Sequence, residues 1–536
     1  MTQRFLVYPI LFIVLMQLVA LLRGDKRWFA AQIAQASVTL LACLGALYFS
    51  HDAVWLVIAW LLFAWFVVAP AVLGSVAVAK ESRGHWRGAA MFRRLAGLAA
   101  WGQMGRLYRR HASALRLMAR GHTEQALAVL EELAAQRMPL TIRGLVLTWR
   151  LSLLVTLRQW ERAVAFYDCV YDWGTLGQAT QARLLVGRAL AETGQFERAL
   201  RSLQFVALSP RTLGVKQMQL WAARVAVAAL AGDRESVEEL LRQRGYARPG
   251  RRFARFAAYW RGRCALARGE LEEAVRMLTR AFGLTHPRNR LWRDAILQQL
   301  RRAEEEKLPT GWAAQDPMYA HGLELLRRAE QDTAPWRALM YMGRPERVTL
   351  ALLLVCAVAY LVSGVYLRGE LQEKLLLWAG NTADTVREGE WWRLFTAMFL
   401  HANLLHLAMN GAALWIFGSA VEKTIGRWRY LAVFLLAGAL GNLVSALDAR
   451  YDVAIGASGG IFGVIGAFAV GVWRLRLPMY FALRRRLLWL VVLMVAADFT
   501  IGGLEPQVDN LAHVGGFFAG ILLAAALWPR RESAVL

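Results

Sequence analysis

The sequence contains little charge, few cysteines and no metallohydrolase motif. Charged residues make up 19% of the 536 residues and hydrophobic residues 57%, whereas soluble domains are nearer a quarter charged and half apolar. No His-Glu-x-x-His run occurs, so neither a metal nor another cofactor is expected. The four cysteines stand singly, without the spacing of a metal or redox pair, and are interpreted as small buried hydrophobes: Cys43, Cys169, Cys264 and Cys356.

Long apolar runs are abundant, and they cluster at the two ends of the chain. A helix that spans a bilayer needs about 20 apolar residues at a rise of 1.5 Å each. Three N-terminal runs approach or exceed that length, at about 5–22, 33–49 and 54–79. Six further runs lie at roughly 348–367, 401–420, 430–447, 458–473, 487–501 and 511–528. The pattern predicts an all-α, polytopic membrane protein with about three transmembrane segments in 1–80 and a six-helix unit in 346–536.

The basic residues indicate how the chain crosses the membrane. The formal net charge is +25, and loops rich in Lys and Arg remain in the cytoplasm. Such loops follow the first and third N-terminal runs and the second, fourth and sixth C-terminal runs. We therefore expect the central region in the cytoplasm and an integral, multi-pass protein. The first run is too long for a signal peptide and lacks a cleavage site before Arg23, so it is interpreted as a retained anchor.

The central region, 81–345, is polar, basic and helical in period, and it contains an internal repeat. A turn-like block with a small residue five positions after its start recurs at intervals of 36 to 38 residues. The blocks are Gly121 to Ala126, Arg158 to Ala163, Gly194 to Ala199, Gly232 to Val237 and Gly269 to Ala274. They resemble the tetratricopeptide repeat, whose nominal period is 34 residues. This indicates a cytoplasmic α-solenoid that binds a protein partner; an irregular helical bundle is the alternative.

Polar residues in three of the C-terminal runs are candidates for chemistry, because polar groups are costly inside a membrane. His513, Gly516 and Gly520 share one helix face, and such glycines allow another helix to approach closely. Glycines at 459, 463 and 466 form a similar face with Ser458 at its edge. Close packing of the two faces would bring the Ser458 hydroxyl near the His513 imidazole, which could activate it as a nucleophile.

A third pair, His406 and Asn410, is spaced i, i+4 on the second C-terminal run. Both side chains can donate hydrogen bonds toward one point, as a developing oxyanion requires. The amide of Ser458, at the start of a helix, could join them. Each motif alone is more often structural: Gly-Ala-Ser-Gly packs or caps, and a lone membrane histidine is commonly a hydrogen-bonding or proton site. The three motifs together, on one side of the membrane, are far more specific.

These residues resemble the signature set of rhomboid intramembrane proteases over about 347–529, roughly a third of the chain. The resemblance lies in Trp392-Arg393, His406-x-x-x-Asn410, Gly456-x-Ser458-Gly459 and His513-x-x-Gly516-x-x-x-Gly520. It implies a six-helix core with Ser458 as nucleophile, His513 as general base and acid, and no obligatory acidic partner. It also implies an oxyanion hole formed by His406, Asn410 and the Ser458 amide.

The resemblance assigns further residues. Trp392 and Arg393 would belong to a loop in the outer leaflet, and Phe462 stands where the family often has a tyrosine stacked on the histidine. Asp509 and Asp498 are the two acids that could complete a triad with His513, but both are interpreted as helix-end or loop polar groups. Glu422 is interpreted as a loop anchor. The site would open to the outer side of a bacterial inner membrane, where it cleaves transmembrane substrates.

Two other classes remain open. An inactive rhomboid-like scaffold would bind or escort membrane helices, although retention of both Ser458 and His513 argues against it. A transporter or channel predicts charged residues deep in several spans, and few are present. The expected partners are the bilayer, transmembrane substrates and a protein bound to the repeats. An anionic lipid surface against the repeats is the alternative to that protein. Nucleic-acid binding has no motif support.

Overall fold

A computed structural model of the chain describes scattered residues between 7 and 22 and most of the sequence after them. The described ranges are 25–49, 53–81, 84–170, 180–209, 216–245, 250–287, 289–305, 313–340, 346–367, 370–448, 453–474, 481–504 and 508–528. The structure is 87% helical, without strands among these residues. An isolated antiparallel bridge joins Asn381 and Ala454. The all-α class predicted from the apolar runs is confirmed.

The chain divides into two compact units. The first comprises Met1–Ala207 and Met218–Arg327, and the second Leu208–Gln217 and Arg328–Leu536. The α-helices as far as residue 305 are Lys26–Tyr48, Ala53–Phe63, Ala69–Glu81, Trp86–Ala99, Gly102–Ala119, Thr123–Ala135, Leu140–Thr156, Trp160–Val170, Thr180–Glu192, Phe196–Leu208, Lys216–Leu230, Arg234–Gly245, Arg251–Ala267, Leu271–Gly283 and Arg290–Glu305.

Two N-terminal helices are long and apolar enough to cross a membrane, Trp28–Tyr48 and Val54–Glu81. The second is continuous through a π-helical segment, Ala64–Val68. These helices contain the second and third predicted runs. Eight of the eighteen residues of the first run, 5–22, lie outside the described residues, so the retained anchor stays a prediction.

The five repeat blocks each form a turn between two helices. The residue that opens each block has a positive φ: Gly121 (87°), Arg158 (60°), Gly194 (78°), Gly232 (77°) and Gly269 (79°). Glycine adopts this conformation without the clash that a Cβ introduces. Arg158 is the exception, and its guanidinium donates to Gln298 Oε1 at 2.9 Å.

The small residue five positions later is buried in every block. The exposed fractions of Ala126, Ala163, Ala199, Val237 and Ala274 are 0%, 0%, 0%, 1% and 0%. The second helix of each pair therefore begins with its small face against neighbouring helices. This regularity agrees with stacked helical pairs, and the closer assignment to tetratricopeptide repeats stays a prediction.

Three of the four cysteines are buried, as predicted, and the fourth is not. Cys43, Cys264 and Cys356 are buried, whereas Cys169 is exposed. Cys169 lies two residues after the fully buried Tyr167 on the Trp160–Val170 helix. Positions two apart lie on nearly opposite sides of a helix, so Cys169 faces outward.

Eleven α-helices are described from residue 317 onward, and each of the six predicted runs overlaps at least one of them. They are Pro317–Leu339, Arg347–Tyr360, Glu370–Ala379, Ala383–Arg387, Arg393–Thr396, Leu404–Ala413, Ser419–Ile425, Arg427–Asp448, Ser458–Arg474, Phe481–Leu504 and Asn510–Leu527. Leu404–Ile425, Arg427–Leu447 and Asn510–Leu527 are each long and apolar enough to span a membrane, and Arg347–Ser363 and Ser458–Arg474 are shorter apolar helices. The chain is therefore a polytopic membrane protein.

Glycines bring two of these helices into backbone contact. We call Ser458–Arg474 the serine helix and Asn510–Leu527 the histidine helix. A Cβ added at Gly516 would overlap the carbonyl oxygen of Gly459, and one at Gly520 would overlap that of Gly463. Only residues without side chains permit such an approach, which also allows weak Cα–H···O contacts between the backbones.

Candidate active site

Ser458 lies at the first position of the serine helix and is half-buried. Gly456, two residues earlier, has φ +135° and donates its N–H to Ala397 O at 2.9 Å. A Cβ at Gly456 would stand 3.0 Å from His406 Nε2 and 3.7 Å from Ser458 Oγ. The hydroxyl and the His406 ring therefore flank one point, which stays open only because residue 456 is glycine.

The imidazole of His513 lies at the same level of the helix pair as Ser458. Gly459 follows the serine and Ala512 precedes the histidine, and a Cβ added at Gly459 would stand 3.4 Å from the carbonyl oxygen of Ala512. One turn beyond Ser458, the ring of Phe462 stacks on His513, with centroids 4.4 Å apart and planes at 9°. His513 is 7% exposed. The serine and the histidine thus belong to one tightly packed helix pair.

The two acids near His513 have different contacts. Asp509 caps the histidine helix by accepting from Ala512 N at 2.9 Å, and it also accepts from the Ser445 hydroxyl. This agrees with its interpretation as a helix-end group. Asp498 does not fit that interpretation, because its Oδ2 lies 2.8 Å from His513 Nδ1. Its position on the Phe481–Leu504 helix directs the carboxylate at the imidazole, so the helix-end interpretation of Asp498 is wrong.

His406 and Asn410 lie one turn apart on the helix that begins at Leu404. The predicted run begins at 401, but the helix begins later because the Asn403 side chain caps it, accepting from His406 N at 2.9 Å. Asn410 Nδ2 is buried and finds no hydrogen-bond partner among the described residues. Leaving a buried donor without an acceptor costs about 1–3 kcal/mol, so this amide is available to bind an oxygen that enters the site.

A further histidine, His401, closes the site beside His406, with ring centroids 5.2 Å apart. It is buried, and its Nδ1 lies 3.2 Å from Phe399 O. Its Nε2 has no hydrogen-bond partner in the described part of the chain. No spacing motif in the sequence includes His401, and no role was predicted for it.

Trp392 and Arg393 lie in the connection before this helix and do not reach the serine. Arg393 is 6% exposed, and its guanidinium donates to the carbonyls of Leu377 and Gly380, the latter at 3.2 Å. The Trp392 ring packs on Trp378 at 4.9 Å. These contacts pack Trp392 and Arg393 against the C-terminal end of the Glu370–Ala379 helix.

Glu422 anchors the start of another helix at the far end of this unit. Its carboxylate accepts from Val348 N at 2.9 Å and from Thr349 N at 2.7 Å. Both amides belong to the first turn of Arg347–Tyr360, whose N–H groups have no partner within the helix.

The part of the chain that contains this site is similar to known proteins. Residues 388–530 match the family model for the rhomboid domain. The rhomboid protease GluP of Bacillus subtilis is 31% identical over 211 residues, which cover 38% of this chain and 39% of that protein. The rhomboid protease AarA of Providencia stuartii is 28% identical over 200 residues, covering 33% and 71%. The mitochondrial RHOMBOID-like protein 6 of Arabidopsis thaliana is 36% identical over 151 residues, covering 28% and 47%.

The C-terminal region therefore carries a rhomboid domain, as its motifs indicated. The chain spans 39% of GluP and 47% of RHOMBOID-like protein 6, so most of each of these two relatives lies outside the alignment. Two of the three relatives are named as proteases, and the plant protein is named only as rhomboid-like. The matched region includes every residue of the candidate site.

Proposed function

We propose that the chain is an intramembrane serine protease that cleaves transmembrane proteins with Ser458 and His513. In the first step, the Ser458 hydroxyl passes its proton to His513 Nε2, and its oxygen attacks a substrate carbonyl carbon. The tetrahedral intermediate collapses as the protonated imidazole gives its proton to the leaving amine. Water then attacks the acyl-enzyme ester by the same route, with His513 as base, and releases the acid and the free serine.

The observation that carries this proposal is the unpartnered amide of Asn410, one helical turn from the His406 ring that borders the serine. The negative oxygen of the intermediate needs donors that are already in place. Asn410 Nδ2 is buried and unpaired among the described residues, and the Ser458 N–H makes no hydrogen bond to the described backbone. The His406 ring borders the same point. An unpaired buried amide one turn from the histidine that borders the nucleophile supports acyl-transfer chemistry more than helix packing.

The substrate class and location are part of the proposal. The site lies among apolar helices, so a substrate would reach it from the bilayer and would have to unwind locally to expose a peptide bond. Small residues at the cut and helix-weakening residues near it would favour cleavage, by the resemblance. We place the protein in a bacterial inner membrane, with the site facing outward and the repeats in the cytoplasm.

The test compares the full-length protein with Ser458→Ala in proteoliposomes that contain a model transmembrane substrate. Wild type is expected to cleave it and to be labelled by a fluorophosphonate, and the variant to do neither. Identical behaviour of the two proteins would favour the inactive scaffold, a class for which the rhomboid-like name of one relative gives some support.

For the repeat region we propose docking of substrates or regulators. The support is a groove lined by residues of both signs, among them Arg234, Glu238, Arg261, Glu270 and Arg276. Removing residues 121–280 is expected to change the choice among native substrates more than the rate on a model substrate. An unchanged choice would count against docking.

A further inference from the structure

We propose that Asp498 is a positioning residue for His513, so that the reacting pair works as a serine–histidine–aspartate triad. This rests on the proposed function, whose dyad has no acidic partner. The contact itself is direct: Asp498 Oδ2 lies 2.8 Å from His513 Nδ1, and the two side chains are 20% and 9% exposed.

The contact determines which ring nitrogen can act as the base. An ionised carboxylate can only accept hydrogen bonds, so Nδ1 must carry the imidazole proton. The neutral ring then presents its lone pair at Nε2, the nitrogen that must take the Ser458 proton. When the imidazolium forms, the nearby carboxylate stabilises its charge.

Asp498 and Phe462 together restrict the orientation of the ring. Stacking at an interplanar angle of 9° fixes the plane of the imidazole but allows it to turn within that plane. A hydrogen bond to Nδ1 removes that freedom and directs Nε2 away from Asp498. Because the ring is already oriented by both contacts, less orientational entropy is lost when it accepts the proton.

A neighbouring hydrogen bond supports the register that produces this pairing. Asn510 Nδ2 donates to Phe499 O at 3.4 Å. Asn510 and His513 lie one turn apart on the histidine helix, and residues 498 and 499 are consecutive on Phe481–Leu504. Two adjacent contacts therefore join these helices at the level of the imidazole.

No capping or interfacial role accounts for Asp498. The carboxylate of Asp509 satisfies the first turn of the histidine helix, whereas Asp498 lies inside a helix, six residues before its end. A carboxylate within an apolar helix is costly unless it is paired. Its described partner is His513, the residue proposed to move protons.

The test measures cleavage of a model transmembrane substrate by full-length Asp498→Ala, Asp498→Asn and Asp498→Glu proteins. Asp384→Asn is the matched control, because the Asp384 side chain is 85% exposed and contacts Arg387 instead of His513. We expect kcat to fall about 10²-fold or more for the alanine and asparagine variants, with KM changed less than about threefold. The glutamate variant should recover most of the loss. Wild-type kcat in the asparagine variant, or a loss confined to KM, would overturn the inference.

A second measurement separates orientation from folding and from activity. The measurement is NMR of protein labelled with ¹⁵N-histidine. The chain has nine histidines, and the signals of His513 are identified because they are absent from the spectrum of His513→Gln. Wild type should show the proton on Nδ1, and Asp498→Ala should shift it toward Nε2. An unchanged tautomer would contradict a positioning role. Wild type could cleave no more substrate than Ser458→Ala and yet show a tautomer that depends on Asp498. In that case the proposed protease function fails, and the pairing of Asp498 with His513 is structural.

Discussion

The phenyl ring of Phe462 lies flat on the imidazole of His513, with centroids 4.4 Å apart and an interplanar angle of 9°. Phe462 is one turn beyond Ser458, so the stack links the helix of the proposed nucleophile to the proposed base. A tyrosine, common at this position in the resembling family, would add a hydroxyl that the stacking geometry does not need.

We expect Phe462→Ala to lower kcat about threefold to tenfold, because an aromatic pair is worth about 0.5–1.5 kcal/mol and tenfold in rate is about 1.4 kcal/mol. Phe462→Tyr should retain wild-type kcat, since it keeps the ring. Initial rates at saturating model substrate measure both. Equal loss in the two variants would show that packing volume, and not stacking, matters at this position.

The buried amide of Asn410 gives a larger expected effect. Removing one oxyanion donor typically costs about 10²–10³ in kcat, and Asn410 Nδ2 has no partner among the described residues to compensate for its loss. Asn410→Ala should therefore lower kcat by that factor and slow fluorophosphonate labelling of Ser458 in parallel. Because the donor is unpaired in the free protein, the variant should unfold no more readily than wild type. A large drop in stability with unchanged kcat would assign Asn410 to packing.

Glycine spacing predicted the packing of the serine and histidine helices, and the turn glycines predicted the helical pairs of the central region. Both signals are local, since a backbone that must approach a neighbour or adopt positive φ selects glycine. The positive φ of Arg158 was not predicted, because no glycine marks that turn; its guanidinium contacts Gln298, 140 residues away.

The pairing of Asp498 with His513 could not be predicted in the same way. Phe481–Leu504 is apolar on all sides near Asp498, with Val492, Leu493 and Phe499 each at least 46% exposed. A helix without a polar face gives no indication of its rotation about its own axis. The direction of Asp498 therefore depends on tertiary packing, which hydropathy does not encode.

Gly520 provides a test of the close helix contact. A Cβ there would overlap both the oxygen and the Cα of Gly463, and overlap with backbone forces the two helices apart. We expect Gly520→Ala to lower the midpoint of thermal unfolding in detergent and to reduce fluorophosphonate labelling, because Ser458 and His513 separate together with their helices. Gly411→Ala is the matched control: its new methyl would meet Leu353 Cδ2 at 3.6 Å, an ordinary contact. Equal midpoints for the two variants would contradict the packing argument.

A buried ion pair stabilises the repeat region and makes it sensitive to acid. Arg263 Nη2 lies 2.9 Å from Glu192 Oε2, and the two side chains are 7% and 5% exposed. Burial raises the pKa of Glu192, but the guanidinium groups of Arg263 and Arg188 outweigh burial and hold that pKa below its ordinary value of 4.5. The two residues are 71 positions apart, so their bond joins helices of different repeats.

We expect Glu192→Gln to destabilise this region by about 3–5 kcal/mol, because it leaves the Arg263 charge buried and unpaired. Hydrogen exchange in peptides from Thr180–Glu192 and Arg251–Ala267 measures the loss in the full-length protein. Glu124→Gln is the control: Glu124 pairs with Arg162 at 2.9 Å, but the side chains are 69% and 52% exposed, so exchange should change little.

In wild type the pair should contribute fully above about pH 5, since the unfolded carboxylate is then ionised too. Its contribution should fall as the pH drops below 4.5 toward the folded pKa, because the unfolded state then binds the proton more readily. After correction for intrinsic exchange rates, protection that is constant from pH 6 to pH 3.5 would contradict this coupling.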